Sequence, residues 1–334
     1  MSEQGLARQL SHDAPRRGVG ALRRPRPARQ APRLHIGLLN NMPDSAFLQT
    51  EQQFRRLLGP EVALKLFSLE SLPRGETVRT ELAARYQTHH ALPHAGLDAL
   101  VITGSEPLAA RLQDEPFFGP LGDVVDWAAS NTVSTLLSCL ASHAAVLHRD
   151  GIGRRPLGGK CSGVFACSRT ESDHPLLAGM DATVPVPHSR WNGLEESDLT
   201  GAGYTVLRRS AVGVDLFVHE AESLLVFLQG HPEYDADSLA REYRRDVGRY
   251  LDGSRADYPA MPENGFTPTG VARFAAFADL AAQRRDPALF QSFPSLAEAL
   301  PAQAPWQADA TRLFRNWLRC VAQRRAAIGA RIAV

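Results

Sequence analysis

The chain has 334 residues, a formal net charge of +1 and four cysteines. That length can bury a large core, in one big domain or one domain with appendages. The near-neutral charge supplies no global field for nucleic acid or a membrane surface, and no apolar run approaches the length of a bilayer span. Cys139, Cys161, Cys167 and Cys320 fit neither zinc-site nor disulfide-framework spacing, so they read as reduced thiols of a cytoplasmic protein.

Residues 1–33 hold eight arginines against two acids, Glu3 and Asp13, with Pro25, Pro27 and Pro32 among them. A packed structure is not expected there; the segment reads as a disordered basic extension. Residues 34–39 form an apolar run closed by Asn40-Asn-Met-Pro43, the first expected strand. Residues 46–58 carry apolar side chains at helical spacing and end at Gly59-Pro60, an amphipathic helix with its stop signal. Strands follow at 62–67 and 97–102, a helix at 121–129, and a strand at 133–138. Apolar strands alternating with helices predict a doubly wound, mostly parallel α/β sheet with helices on both faces. From 151 to 230 several short strands are expected between Gly and Pro. Residues 236–251 read as a charged helix, 252–305 as an irregular insertion, and 310–326 as an Arg-rich helix packing Leu313, Phe314, Trp317 and Leu318, with Asp309 as its N-cap. Residues 34–326 are thus expected to form a single domain.

In a parallel sheet the chemistry gathers at the carboxyl ends of the strands. Gly104, Cys139 and His231 all fall there. Cys139 lies between a strand and a helix, where the helix N-terminus favours a thiolate and offers backbone N–H groups to an oxyanion. Leu137 and Ala141 stand where a hydrolase elbow carries glycines. His231, followed by Pro232 and Glu233, supplies a base and a carboxylate to orient it. Nucleophile, base and orienting acid are the parts for acyl transfer through a cysteine thioester. His143, four residues after Cys139, reads as a packed histidine at the edge of the site. Ser189-Arg190 reads as a loop pair able to clamp a carboxylate. The scattered histidines lack zinc-site spacing, and Gly151-Ile-Gly-Arg-Arg reads as a helix exit rather than a phosphate loop.

Several stretches resemble the homoserine O-succinyltransferases, which share the class I glutamine amidotransferase (flavodoxin-like) fold. They are Ile36-Gly-Leu-Leu-Asn-Asn-Met-Pro43, Thr50-Glu-Gln-Gln-Phe54, Val101-Ile-Thr-Gly104, Cys139, Lys160-Cys-Ser-Gly-Val164, Pro187-His-Ser-Arg190, Gly230-His-Pro-Glu-Tyr-Asp235, Arg245-Asp246 and Leu313-Phe-Arg-Asn-Trp-Leu318, in order along the chain. The resemblance implies a ping-pong reaction in methionine biosynthesis, in which Cys139 is acylated by succinyl-CoA or acetyl-CoA as co-substrate. His231, held by Glu233, then deprotonates the homoserine hydroxyl. It also implies substrate contacts from Lys160, Ser189 and Arg245. No bound cofactor, metal, membrane or nucleic acid is implied, and family members are often dimeric, which places a homodimer among the expected states. The loop position that selects the acyl donor in the family falls on Ala109 or Leu108. Neither is acidic, and Arg111 nearby could pair with a succinyl carboxylate, which favours succinyl over acetyl. Asp44 stands in a segment where the family carries a lysine. Another hydroxy amino acid such as serine stays open as acceptor. So do a glutaminase-like or hydrolytic relative with the same three residues, and a catalytically silent binding protein.

Overall fold

Runs of Val, Leu and Ile become strands here because both faces of a parallel sheet can bury them. The computed structural model describes residues 33–170 and 173–332. The expected strands are present as β1 (His35–Leu39), β2 (Ala63–Ser68), β4 (Ala99–Ile102) and β5 (Ser134–Ser138), with a two-residue β3 (Gln87–Thr88) at the edge. The amphipathic helix is α1 (Phe47–Leu58), closed by Gly59 at φ 77°. It is followed by α2 (Glu76–Arg85), α3 (Phe118–Asn131) and α4 (Leu140–Asp150). Gly151, at φ 69°, ends α4 in the left-handed conformation, the helix exit expected there.

Residues 151–230 depart from the expected row of short strands. β6 (Arg155–Arg169) and β7 (Thr183–Gly193) are long and pair antiparallel, with a register shift between Pro156 and Cys161 that absorbs Gly158 and Gly159. A short helix α5 (Glu196–Gly201) leads to β8 (Thr205–Ser210), β9 (Gly213–Glu220) and β10 (Leu224–Leu228). All ten strands form one sheet in the order β3-β2-β1-β4-β5-β10-β9-β8-β6-β7. Neighbours are parallel from β3 to β10 and antiparallel from β10 to β7.

Side chains alternate between the two faces with the two-residue period of a strand. Leu38, Leu136 and Val226 pack with Phe54 of α1 and with Phe314 and Trp317 of the last helix. Their chain neighbours Leu39, Leu137 and Phe227 pack with α3 and α4 on the opposite face. The charged helix is α6 (Ser238–Leu251). Residues 252–305 are less irregular than expected: α7 (Pro268–Gln283) starts at Thr267, whose hydroxyl accepts from Gly270 N at 3.1 Å, and a four-residue α8 (Leu296–Ala299) follows. Phe274 and Phe277 of α7 form a satellite core with Tyr243 and Val247 of α6. The final helix α9 (Gln307–Ile332) begins earlier than expected, so Asp309 sits in its first turn and does not cap it. The basic segment 1–33 lies outside the described residues apart from Arg33. Among the described residues no helix is long and apolar enough to cross a membrane.

Trp317 is fully buried, and its indole N–H donates to the Ser134 hydroxyl at 2.9 Å. Trp317→Ala is expected to destabilise the domain by about 3–5 kcal/mol. The measurement is a lower urea midpoint at unchanged slope.

Candidate active site

β5 and β10 are parallel neighbours with Ser138 paired to Leu228, so the residues that follow each strand emerge side by side. Cys139 comes directly after β5 with φ 50° and ψ −113°, one of two non-glycine residues with positive φ among the described residues. Such a conformation costs on the order of 1–3 kcal/mol and persists where its surroundings over-determine it. Here the Cys139 N–H donates to the Leu228 carbonyl at 2.6 Å, and the Cys139 carbonyl accepts from Ser142 N at 2.9 Å to open α4. The thiol is thereby thrown above the sheet at a helix N-terminus. Gly104, at the end of β4, lies against this elbow: a Cβ there would stand 3.2 Å from Leu140 N and 3.5 Å from the Cys139 Cβ.

β10 continues into Gln229-Gly230-His231. The Gln229 N–H donates to Asp215 O at 2.8 Å and the His231 N–H to Pro187 O at 2.7 Å. Gly230 is obligatory, because a Cβ would meet the Asp215 carboxylate and Val186 at 2.5 Å. His231 Nδ1 lies 2.8 Å from Glu233 Oε1, and Nε2 is buried with no hydrogen-bond partner among the described residues. The Tyr234 ring stacks on the imidazole at 4.3 Å between centroids. Burial alone would push the His231 pKa down. The electrostatic influence of Cys139 and Glu233 and the Glu233 hydrogen bond outweigh it and raise the pKa well above the ordinary histidine value. The structure therefore brings together Cys139, His231 and Glu233, the residues read from the sequence as nucleophile, base and orienting carboxylate.

The facing wall is polar and balanced in charge. Lys160 Nζ lies 2.9 Å from Asp246 Oδ2 and 3.2 Å from Glu242 Oε2. Arg245 turns Nε and Nη2 onto Asp246 Oδ1 at 3.1 and 3.0 Å, so that edge of its fork is already occupied. The Ser189 and Tyr234 hydroxyls both donate to Glu242. Burial favours protonation of Glu242 and Asp246. Lys160 with the Ser189 and Tyr234 hydroxyls overcomes this at Glu242, and Lys160 with Arg245 at Asp246, so both carboxyls titrate below their ordinary range. Cys139, His231, Lys160, Ser189 and Arg245 line one cleft of about 260 Å³ together with Tyr234, Glu242, Asp246, Glu106, Trp191, Arg249 and Arg255.

Other expectations change. Leu108, Ala109 and Arg111 do not line this cleft. Leu108 is 80% exposed, and the N–H groups of Leu108 and Ala109 donate to Glu115 Oε1 at 2.6 Å each. Arg111 pairs with Asp114 at 3.3 Å; a helical-turn neighbour takes the guanidinium. Ser189-Arg190 lies in β7 and not in a loop, and Arg190 is buried with its guanidinium on the Asn192 and Val212 carbonyls. His143 is packed as expected, with its pKa pushed down to about 3 by burial and by Arg190 and Arg154. Asp44 anchors Gly75 N at 2.6 Å and Arg74 at 3.3 Å, and Arg74 in turn donates to the Met42 carbonyl. One potential ligand cluster unforeseen in the sequence brings Cys167, His188 and Asp215 together beneath Gly230. Arg208 already holds Asp215 at 2.6 Å, and its positive charge opposes a metal ion there.

Glu242, Asp246 and Tyr234 were missed as site residues. A usable signal was present: Glu242, Arg245, Asp246 and Arg249 recur at helical spacing, so they share one face of α6.

The family model for homoserine O-succinyltransferase matches residues 15–327, a span that contains 252–305. The chain is 60% identical over 307 residues to a Methylorubrum extorquens protein named homoserine O-succinyltransferase, covering 92% of each. It is 47% identical over 300 residues to a Bradyrhizobium japonicum protein of the same name, covering 88% of this chain and 91% of that one. The fold is similar to that of a glutamine amidotransferase from Thermotoga maritima, with a TM-score of 0.50 and 15% identity over 86% of this chain and 98% of that one. With the cysteine elbow, the His-x-Glu turn and a match over nearly the whole length, the chain belongs to the homoserine O-succinyltransferase family.

Proposed function

We propose that this protein moves a succinyl group from succinyl-CoA, by way of Cys139, to the γ-hydroxyl of L-homoserine, a step of methionine biosynthesis. The observation that carries the reading is the Cys139–His231–Glu233 relay facing a charge-balanced wall, in a chain 60% identical to a relative of that name.

The Cys139 sulfur attacks the thioester carbonyl. Negative charge gathers on the carbonyl oxygen beside the N-terminus of α4, where the Leu140 N–H lies against Gly104. The tetrahedral adduct collapses, the C–S bond to CoA breaks, and CoA leaves as a thiol with the proton His231 carries. Homoserine then enters. Its ammonium and carboxylate need one partner of each sign, and Glu242 with Asp246 and Lys160 with Arg245 supply them. His231 Nε2 takes the proton of the attacking hydroxyl, Glu233 steadies the resulting imidazolium, and collapse releases the ester and expels the Cys139 sulfur as a thiolate beside the protonated ring. The buried Nε2 without a hydrogen-bond partner among the described residues and the Nδ1–Glu233 bond support giving this work to Nε2.

The test is intact-protein mass after mixing with succinyl-CoA or acetyl-CoA separately. A gain of one succinyl group that Cys139→Ala abolishes, and that homoserine but not serine discharges, is the expected result. Acylation by neither donor overturns the reading. His231→Ala is expected to lower kcat by about 10²–10⁴-fold, the usual range for a general base, as read in a steady-state assay of CoA release.

The wall also makes an acid-range signature. Glu242 and Asp246 have folded pKa values below their ordinary 4.5 and 3.8. Their contribution to stability is present above those ordinary values and is lost as pH falls through the lower folded values. Lys160→Met removes the cation that holds them down and is expected to flatten the fall of unfolding free energy below about pH 4.5. Urea titrations at several pH values measure the slope.

A further inference from the structure

The cleft is chemically divided. Its inner wall carries the compact ion cluster of Lys160, Glu242, Arg245 and Asp246 beside His231. Trp191, Arg249 and Arg255 line the same cleft and carry a different chemistry. Trp191 lies two residues after Ser189 near the end of β7, yet 48% of it is exposed, an unusual placement for a large aromatic. The Arg255 guanidinium lies 5.5 Å from the centre of its ring. Arg255 donates through Nε to the Asp257 carbonyl at 2.8 Å and has no ion-pair partner among the described residues. Arg285 donates to the Tyr250 and Arg255 carbonyls and brings positive charge beside Arg255, with the Asp252 carboxylate within its electrostatic reach. Arg249 pairs with Glu106 at 2.9 Å, both side chains being partly exposed. The nearby Asp252 carboxylate accepts from Ser254.

A cleft of about 260 Å³ has room for an acyl group and a small amino acid, and not for a whole acyl-CoA. The donor's nucleotide must lie at the mouth while its pantetheine arm reaches in. That nucleotide is a polyanion with one flat aromatic base, and a half-exposed indole beside the Arg255 guanidinium, which no carboxylate pairs among the described residues, complements both parts, with the Glu106-paired Arg249 next to them.

We propose that Trp191 and Arg255, with Arg249 beside them, form the docking site for the 3′-phosphoadenosine diphosphate end of the acyl donor. The adenine stacks on the exposed indole surface and the phosphates meet the guanidiniums. This rests on the acyl-CoA reading above.

The experiment compares kcat/KM for succinyl-CoA with that for succinyl-pantetheine, which lacks the nucleotide, in wild type, Arg255→Ala, Trp191→Ala and Trp191→Phe. The ratio of the two constants is expected to fall about tenfold in each alanine variant, within the range for base–aromatic stacking, and to recover largely in Trp191→Phe. An unchanged ratio, or equal loss with both donors, overturns the proposal. Calorimetry with adenosine 3′,5′-bisphosphate separates the two readings. Binding to wild type that Arg255→Ala abolishes supports the docking site even where neither donor acylates Cys139, a failure that would count against the acyl-transfer reading alone. No binding of the bisphosphate overturns the docking site.

Discussion

The parallel pairing of β5 with β10 is the constraint on which the site depends. Its register sets Ser138 opposite Leu228, and the Cys139 N–H then closes onto the Leu228 carbonyl at 2.6 Å. One hydrogen bond thus joins the nucleophile's elbow to the strand that delivers the base. A one-residue slip would turn Leu136 and Leu137 to the wrong faces and break two cores at once. The burial energy of the sheet therefore protects the geometry of the chemistry. The elbow's unfavourable backbone conformation is held by its own hydrogen bonds to Leu228 and Ser142 and by packing distributed over both faces.

The second support lies under the turn after β10. Gly230 touches the buried Asp215 carboxylate, which is shared between Arg208 at 2.6 Å and His188 at 3.4 Å. Burial would favour a neutral Asp215, and Arg208 and His188 drive its pKa far below the usual carboxylate range instead. The antiparallel strands β6 to β9 thus do more than extend the sheet. β9 supplies Asp215, β7 supplies His188 and the Pro187 carbonyl that fixes His231, and β6 supplies Lys160. The parallel half presents Cys139, and the antiparallel half positions His231 and part of the cleft wall.

The sequence showed the parallel half clearly because fully buried strands are written as unbroken apolar runs, as in residues 134–138 and 224–228. Cys139, His231 and Glu233 were legible for the same reason: Cys139 follows one such run directly, and His231 and Glu233 lie in the turn just after the other. The antiparallel ribbon was not, because Pro156, Gly158 and Gly159 read as breaks while the structure takes them up in a register shift. Helix α6 was legible as a helix and illegible as a wall. Charged residues on a helix normally face water, and nothing local shows that Lys160, eighty residues earlier, returns to neutralise Glu242 and Asp246. The place of Arg111 was illegible for a related reason: its spacing along the chain does not show that it lies outside the cleft beside Asp114.

The charge on His231 follows from the same arrangement. Its pKa is held up against full burial by Cys139 and Glu233. In the acyl transfer proposed above, acylation would convert the sulfur to a neutral thioester and remove one of those partners, while burial and Glu233 stayed as they were. The ring would then yield its proton as CoA departs, which would leave a neutral imidazole next to the carbonyl to be attacked, with no movement of the backbone. The proton would return to the ring as the hydroxyl attacks and the sulfur is released.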